Sequence, residues 1–374
     1  MGSLGHFQKW LDGSLPGWLA YVIPILLGAI LAISFIMIMV MIFTYLERKV
    51  LGRFQIRIGP NRAGPFGILQ PVADAVKVLT KEDIVPANAD KIVHQLAPML
   101  AFVPVIMIFA VIPMQRTGFI ANLNIGILYI VAVSTLSMLA IFMAGWGSNN
   151  KYSLIGAMRG VAQMISYEIP VALSIIGVVL ITGSLSMVDI VKAQNIPIIL
   201  LQPLGFLIFF LGVSAELNRS PFDLLEAESE IVAGYQTEYS GMKFALFYLG
   251  EYGHALAASA IITTLFLSGW KGPLLPAGLW FVIKIFAVFF IFLWVRATFP
   301  RFRVDQLMGF AWKFLLPLSL VNMFITAAEV AWQDNMGWTH FPWPFVFLNF
   351  GLTAIFILVA SKLCKIGGGR VAEI

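Results

Sequence analysis

Apolar stretches long enough to cross a lipid bilayer recur from residue 18 to residue 360, and they limit what this chain can fold into more than any other feature. The hydrocarbon core of a bilayer is about 30 Å thick and an α-helix rises about 1.5 Å per residue, so about 20 mostly apolar residues span it. Nine segments meet or approach that length: 18–45, 96–114, 125–143, 161–182, 198–215, 244–267, 279–295, 314–330 and 345–360. Charged residues make up only 11% of the 374, whereas a soluble domain carries about a quarter. A water-soluble fold is excluded, and no polar stretch is long enough to fold by itself. The expected fold is all-α, a polytopic membrane protein with about nine transmembrane helices and one interfacial amphipathic helix, forming a single transmembrane domain over 1–374.

The 24 lysines and arginines divide unequally between the two sets of loops. Nineteen fall on one side, only Lys9, Arg116, Lys192 and Lys271 on the other, and Lys284 lies inside a span. Because Lys and Arg are retained on the cytoplasmic side, the N-terminus is expected outside and the C-terminus in the cytoplasm. The net charge of +5 is therefore read as topological, not as the mark of an anionic partner, and no nucleic acid is expected. The first span is too long for the core of a signal peptide, so no cleavage is expected. Cys364, alone, can neither form an intrachain disulfide nor supply the four thiolates of an iron–sulfur cluster. His6, His94, His254 and His340 lack the spacing of zinc or haem ligands. The chain is expected to bind no redox cofactor of its own.

Two cytoplasmic loops stand out. In loop 47–95, Leu69, Val72, Ala73, Val76 and Leu79 share one helical face, with Gln70, Asp74, Lys77 and Lys81 on another. That pattern suits a helix lying in the membrane interface or one packed on neighbouring spans. Loop 217–243 is acidic where cytoplasmic loops are usually basic, carrying Asp223, Glu226, Glu228, Glu230 and Glu238. Ser220 and Pro221 read as the start of a helix whose positive end suits these acids, with Asp223, Glu226 and Glu230 on one face. A merely solvated surface is the alternative.

Acids also lie inside the spans. A charged side chain at the bilayer centre is unfavourable by roughly 2.5–3.5 kcal/mol, so such residues are seldom incidental. Glu168 lies about 12 Å and Glu251 about 10 Å deep from the cytoplasmic side, and Glu216 ends its span at the cytoplasmic edge. Pro170 removes a helical hydrogen bond close to Glu168. Carboxyls held together away from water resist ionisation and can relay protons. The plainer reading makes Glu168 and Glu251 hydrogen-bonding contacts between helices, or partners of His254 or Lys284.

Four stretches carry a family resemblance: ERKVLGRFQIRIGPNRAGPFGILQPVADAVKVLTKEDIVP (47–86), SNNKYSLIGAMRGVAQMISYEIP (148–170), AELNRSPFDLLEAESEIVAGYQTEYSGMKFALFYLGEY (215–252) and RATFPRFRVDQLMGFAWKFLLPL (296–318). In order and in detail they closely resemble the family of the quinone-site membrane subunit, designated H, of NADH:quinone oxidoreductase, respiratory complex I. The resemblance implies a proton-translocating oxidoreductase subunit of the bacterial inner membrane with no redox centre. It also implies ubiquinone or menaquinone as substrate, and as partners the quinone-site subunits of the hydrophilic arm and the antiporter-like subunits of the membrane arm. Loops 47–95 and 217–243 become docking and quinone-chamber elements. Arg48, Gln55, Asp74, Tyr248 and Arg296 are expected to line the chamber or its entrance, where a long quinone tail needs an apolar opening and the head needs polar groups. Asp223, Glu226, Glu228 and Glu230, then Glu216, Glu251 and Glu168, are expected to carry protons inward, with Arg219 dividing the path. A free-standing ion channel or transporter, or the equivalent subunit of a membrane-bound hydrogenase, is the alternative; the lack of an internal repeat weighs against a transporter. Span 345–360, Lys284 and Glu329 receive no role.

Overall fold

The computed structural model describes residues 17–116, 120–225, 228–336 and 343–368, and among these the regular elements are helices. In chain order they are α1 (Gly17–Phe54), α2 (Gln70–Leu79), α3 (Lys91–Phe109), α4 (Gly126–Gly147), α5 (Lys151–Thr182), α6 (Met187–Ala193), α7 (Ile198–Leu201), α8 (Pro203–Glu216), α9 (Glu228–Ile231), α10 (Gly241–Phe266), α11 (Ala277–Thr298), α12 (Val304–Phe310), α13 (Leu316–Met336) and α14 (Trp343–Gly368). A π-helical turn, Ala311–Leu315, joins α12 to α13. Every expected span carries helix. Six helices among the described residues are long and apolar enough to cross a membrane: α1 from Ile25, α3, α4, α5, α11 and the continuous Val304–Met336. Helix α10 has 26 residues but includes Lys243, Glu251 and His254, which dilute its apolar character.

Local chemistry explains several boundaries. The fifth expected span is divided at Gln202, because Pro203 supplies no N–H and pushes the residue before it out of helical geometry; Gln202 has φ −136°. Helix α5 starts where Asn150 accepts from the Tyr152 N–H and ends where Gly183 turns left-handed at φ 66°. Pro170 sits inside α5 without ending it. Helix α1 has 38 residues and extends about 57 Å, so its last turns project beyond a bilayer core of about 30 Å. That excess carries Glu47 and Arg48 to the membrane edge.

Aromatic contacts hold the bundle around this edge. Phe43 of α1 stacks on Phe289 of α11 with ring centres 3.7 Å apart, and Phe210 of α8 stacks on Phe292 at 4.7 Å. The apolar face of α2 is not buried within the chain: Val72, Val76 and Leu79 are all exposed. The same helix packs against α1 and α10, so it has both a contact with neighbouring helices and an exposed apolar face.

The helix expected from Pro221 does not form. Residues 217–225 run as turns, and before α10 the described part of this acidic loop carries the single turn α9 and a short 3-10 turn, Gly234–Gln236. Phe222, Leu224 and Leu225 are all buried to 2% exposure or less, and the Phe222 carbonyl accepts from buried Gln163 Nε2 at 2.7 Å. A helix would point Phe222 and Leu224 in nearly opposite directions, so packing against α5 overrides the local capping signal.

Candidate functional site

The projecting end of α1 meets the first turns of α10 and the last turns of α11 around a cavity of about 450 Å³. Glu47, Arg48, Arg57, Tyr248, Glu251, Tyr252 and Arg296 line it, with backbone from Gly59 and Pro60. Gly59 takes φ 69°, a left-handed conformation that glycine adopts without strain and that folds the chain back beneath Arg48. The lining is thus dense in arginine and carboxylate yet bounded by tyrosine rings.

Charge compensation here is specific. Arg219 Nη1 donates to Glu47 Oε2 at 2.5 Å, and Arg219 Nη2 lies 3.4 Å from Glu251 Oε1. Arg296 donates to the other oxygen of Glu47. The Arg219 guanidinium also sits 4.4 Å from the Tyr252 ring centre, a cation–π contact in a desolvated place. Burial alone favours loss of the Arg219 proton, but Glu47 and Glu251 push its pKa above the usual guanidinium range. It is a permanent cation. At the cavity mouth Arg48 pairs with Asp74 of α2, which also accepts from Gln70 Nε2 at 3.0 Å, and Tyr45 Oη donates to the Phe66 carbonyl at 2.9 Å. These bonds fasten the amphipathic helix to the end of α1.

A second, narrower cavity of about 130 Å³ lies deeper, lined by Glu168, Glu216, Glu251, His254, Ser134 and Ser137 among apolar side chains. Glu251 lines both cavities and, among the described residues, is the one acid they share. His254 Nε2 is 2.8 Å from Ser137 Oγ. Glu168 lies within electrostatic range of Glu216, and Asp223 within range of Glu251. Gln163 Nε2 donates to the carbonyls of Ala215 and Phe222 at 2.7 Å each, so a buried amide fixes both ends of the turn that carries Glu216 and Arg219. The arrangement can hold a polar ring at one end and pass protons among half-buried acids at the other.

The sequence-derived residues divide accordingly. Arg48, Tyr248 and Arg296 surround the larger cavity, and Asp74 reaches it through Arg48. Gln55 stands exposed on the turn after α1, outside the cavity lining. Glu168, Glu216 and Glu251 gather at the inner cavity, with Asp223 half-buried nearby. Glu230 lies instead on the exposed side of α9, paired with Arg159 at 2.5 Å, and lines neither cavity. Glu226 falls outside the described residues, and of Glu228 only the backbone of α9 is described. Neither Glu168 nor Glu251 pairs with Lys284, whose Nζ donates to the Leu267, Gly269 and Lys271 carbonyls. Glu47 and Tyr252 were not anticipated. The signal for Glu47 was an acid beside Arg48 at the end of a span, a place where a cation alone is usual.

Comparison with known proteins bears on this geometry. A family model described as NADH dehydrogenase matches residues 27–327. A protein of Dehalococcoides mccartyi (strain CBDB1), named as the H subunit of NADH-quinone oxidoreductase, is 58% identical over 350 residues, covering 94% of this chain and 98% of its own. The protein of the same name from Geobacillus kaustophilus (strain HTA426) is 50% identical over 331 residues, 87% of this chain and 99% of its own. That of Rickettsia rickettsii (strain Iowa) is 48% identical over 330 residues, 84% and 97% respectively.

Proposed function

From the premise that this chain belongs to the NADH dehydrogenase family, we propose that it is the membrane subunit of an NADH-quinone oxidoreductase that receives quinone in the larger cavity and couples its reduction to proton movement. The observation that carries the reading is the double placement of Glu251, on the arginine-rich cavity and on the acid-lined one. Reduction of a quinone to the quinol takes up two electrons and two protons. Electrons come from a partner subunit, and transient negative charge on the quinone oxygens is stabilised by Arg48, Arg57 and Arg296 around it. Glu251, held beside permanently charged Arg219, responds to that charge by exchanging a proton with Glu216 and Glu168 across the inner cavity.

The rest of the reading follows from the same placement. The quinone tail enters beside α2, whose exposed apolar face lies in the interface. The face bearing loops 47–95 and 217–243 is cytoplasmic and docks the hydrophilic arm; the lipid-facing spans meet the antiporter-like membrane subunits. Ubiquinone and menaquinone both fit this chemistry. The test is Glu251→Gln in the intact complex reconstituted into vesicles, with NADH-driven quinone reduction and proton uptake measured together. Loss of both, or loss of pumping with reduction retained, supports the reading. Wild-type rates of both in an assembled complex would exclude Glu251 from the coupling path.

A further inference from the structure

Helix α13 reverses the usual logic of a membrane helix. Its buried residues are Ser319, Asn322, Thr326 and Glu329, a wholly polar stripe at helical spacing, while Val321, Phe324 and Trp332 face outward. The far end of the stripe is closed by α14. Asn349 Nδ2 donates to Glu329 Oε2 at 3.1 Å and to the Leu201 carbonyl at 2.9 Å, and Gln202 Nε2 donates to Thr326 Oγ at 2.6 Å. One cluster therefore joins α13, α14 and the break between α7 and α8. It lies about 20 Å along α8 from Glu216, toward the opposite end of the bundle.

Three atoms of this cluster have no hydrogen-bond partner among the described residues: Glu329 Oε1, Gln202 Oε1 and Asn322 Nδ2. Their residues are 6%, 1% and 3% exposed. A buried polar atom without a partner is unfavourable, and three along one stripe mark a face built to hold something polar. The set mixes two acceptors with one amide donor. An oxygen-only cage would suit a metal cation, whereas the Asn322 N–H repels one; a mixed set suits water. Both Glu329 and Asn349 lie beyond residue 327, where the family match ends.

We propose that Glu329 is a hydrated proton-binding site in the half of the membrane opposite the larger cavity, and that α14 completes it through Asn349. Uptake transfers an excess proton, arriving as hydronium along the bound water, to Glu329 Oε1, the oxygen left open while Oε2 is held by Asn349, and leaves neutral water behind; release reverses the step, and no electrons move. No described charged side chain from α5, α7, α8 or α14 approaches this end, and the nearest titratable group on α13 is exposed Asp334, five residues on. The site is independent of the quinone reading.

Infrared difference spectroscopy on the intact complex tests it, with Glu329→Gln subtracted from the unmodified protein at graded pH in light and heavy water. The expected signature is a carboxylic acid C=O band that shifts in heavy water and disappears as pH rises, with a changed midpoint in Asn349→Ala. A band that ignores heavy water, or one that stays constant across pH, would make Glu329 a dry structural contact and overturn the proposal. Should Glu329→Gln fail to assemble, Glu329→Asp retains the carboxyl, and its band is expected to titrate at a shifted midpoint; an unshifted band counts against the site in the same way.

Discussion

Arg219 and Glu47 are 172 residues apart in sequence and meet at 2.5 Å, each about 95% buried, where the end of α1 passes the turn after α8. Arg296 of α11 completes the clasp by donating to the second oxygen of Glu47. Removing one member of a buried, hydrogen-bonded pair leaves the other uncompensated, which destabilises by about 3–5 kcal/mol. Arg219→Met is therefore expected to lower the thermal midpoint of the complex and its yield of assembled particles. Glu47→Gln combined with Arg219→Gln should recover part of that loss, because it removes charge from both sides. A double variant no better than the single one would show that packing, and not charge pairing, holds this corner.

The acids divide by environment into those expected to matter for coupling and one that is not. Glu168→Gln and Glu216→Gln keep side-chain volume but remove the titrating proton from the inner cavity, so proton pumping by the intact complex should fall several-fold while assembly persists. Glu230→Gln breaks only a pair exposed on both sides, 30% and 48% for Arg159 and Glu230, worth about 1 kcal/mol or less. Its pumping rate should stay near wild type. Pumping measured in sealed vesicles for the three variants side by side checks the division, and equal losses in all three would remove the distinction drawn from burial.

The spans were legible because hydropathy is a local property, and so was the amphipathic face of α2, which depends on residues within three turns of one another. The site was legible only in part. Arg48, Tyr248 and Arg296 were expected through the family resemblance and do line the larger cavity, but Glu47 gains its meaning from Arg219 and Arg296, far along the chain, and periodicity cannot supply that. The acidic loop was misread for the complementary reason. Ser220, Pro221 and the following acids form a good local helix signal, yet the burial of Phe222, Leu224 and Leu225 outweighs it. Gln55 illustrates a third case: a polar residue in the right motif that the turn after α1 directs away from the cavity.

Orientation has its own test. Ile56, on the side of the larger cavity, is 96% exposed, and Leu274, in the loop before α11, is fully exposed. The Leu274 loop is tied to the opposite end of the bundle, since Lys271 Nζ donates to the Lys192 and Gln194 carbonyls. In a Cys364→Ser background, Leu274→Cys should react with a membrane-impermeant thiol reagent applied to intact cells, and Ile56→Cys only after the membrane is opened. The reverse pattern would invert the topology argued from charge.

The Arg48–Asp74 pair yields the most discriminating prediction for the quinone. Its side chains are 40% and 35% exposed, so losing the pair should alter stability by only about 1 kcal/mol or less. Its position is another matter, because it ties α2, with its exposed apolar face, to the turn of α1 that lines the cavity. Asp74→Asn keeps the shape but weakens the tie, and Arg48→Ala removes both the tie and a cation from the lining. If α2 frames the passage for the tail, Asp74→Asn should raise KM for long-tailed quinones several-fold and leave short-tailed analogues nearly unchanged, with kcat preserved. Arg48→Ala should raise KM for both, since the head group loses a partner as well. Steady-state kinetics of the assembled complex with a tail-length series separates the two effects. A KM increase in Asp74→Asn that is independent of tail length would place α2 outside the entrance.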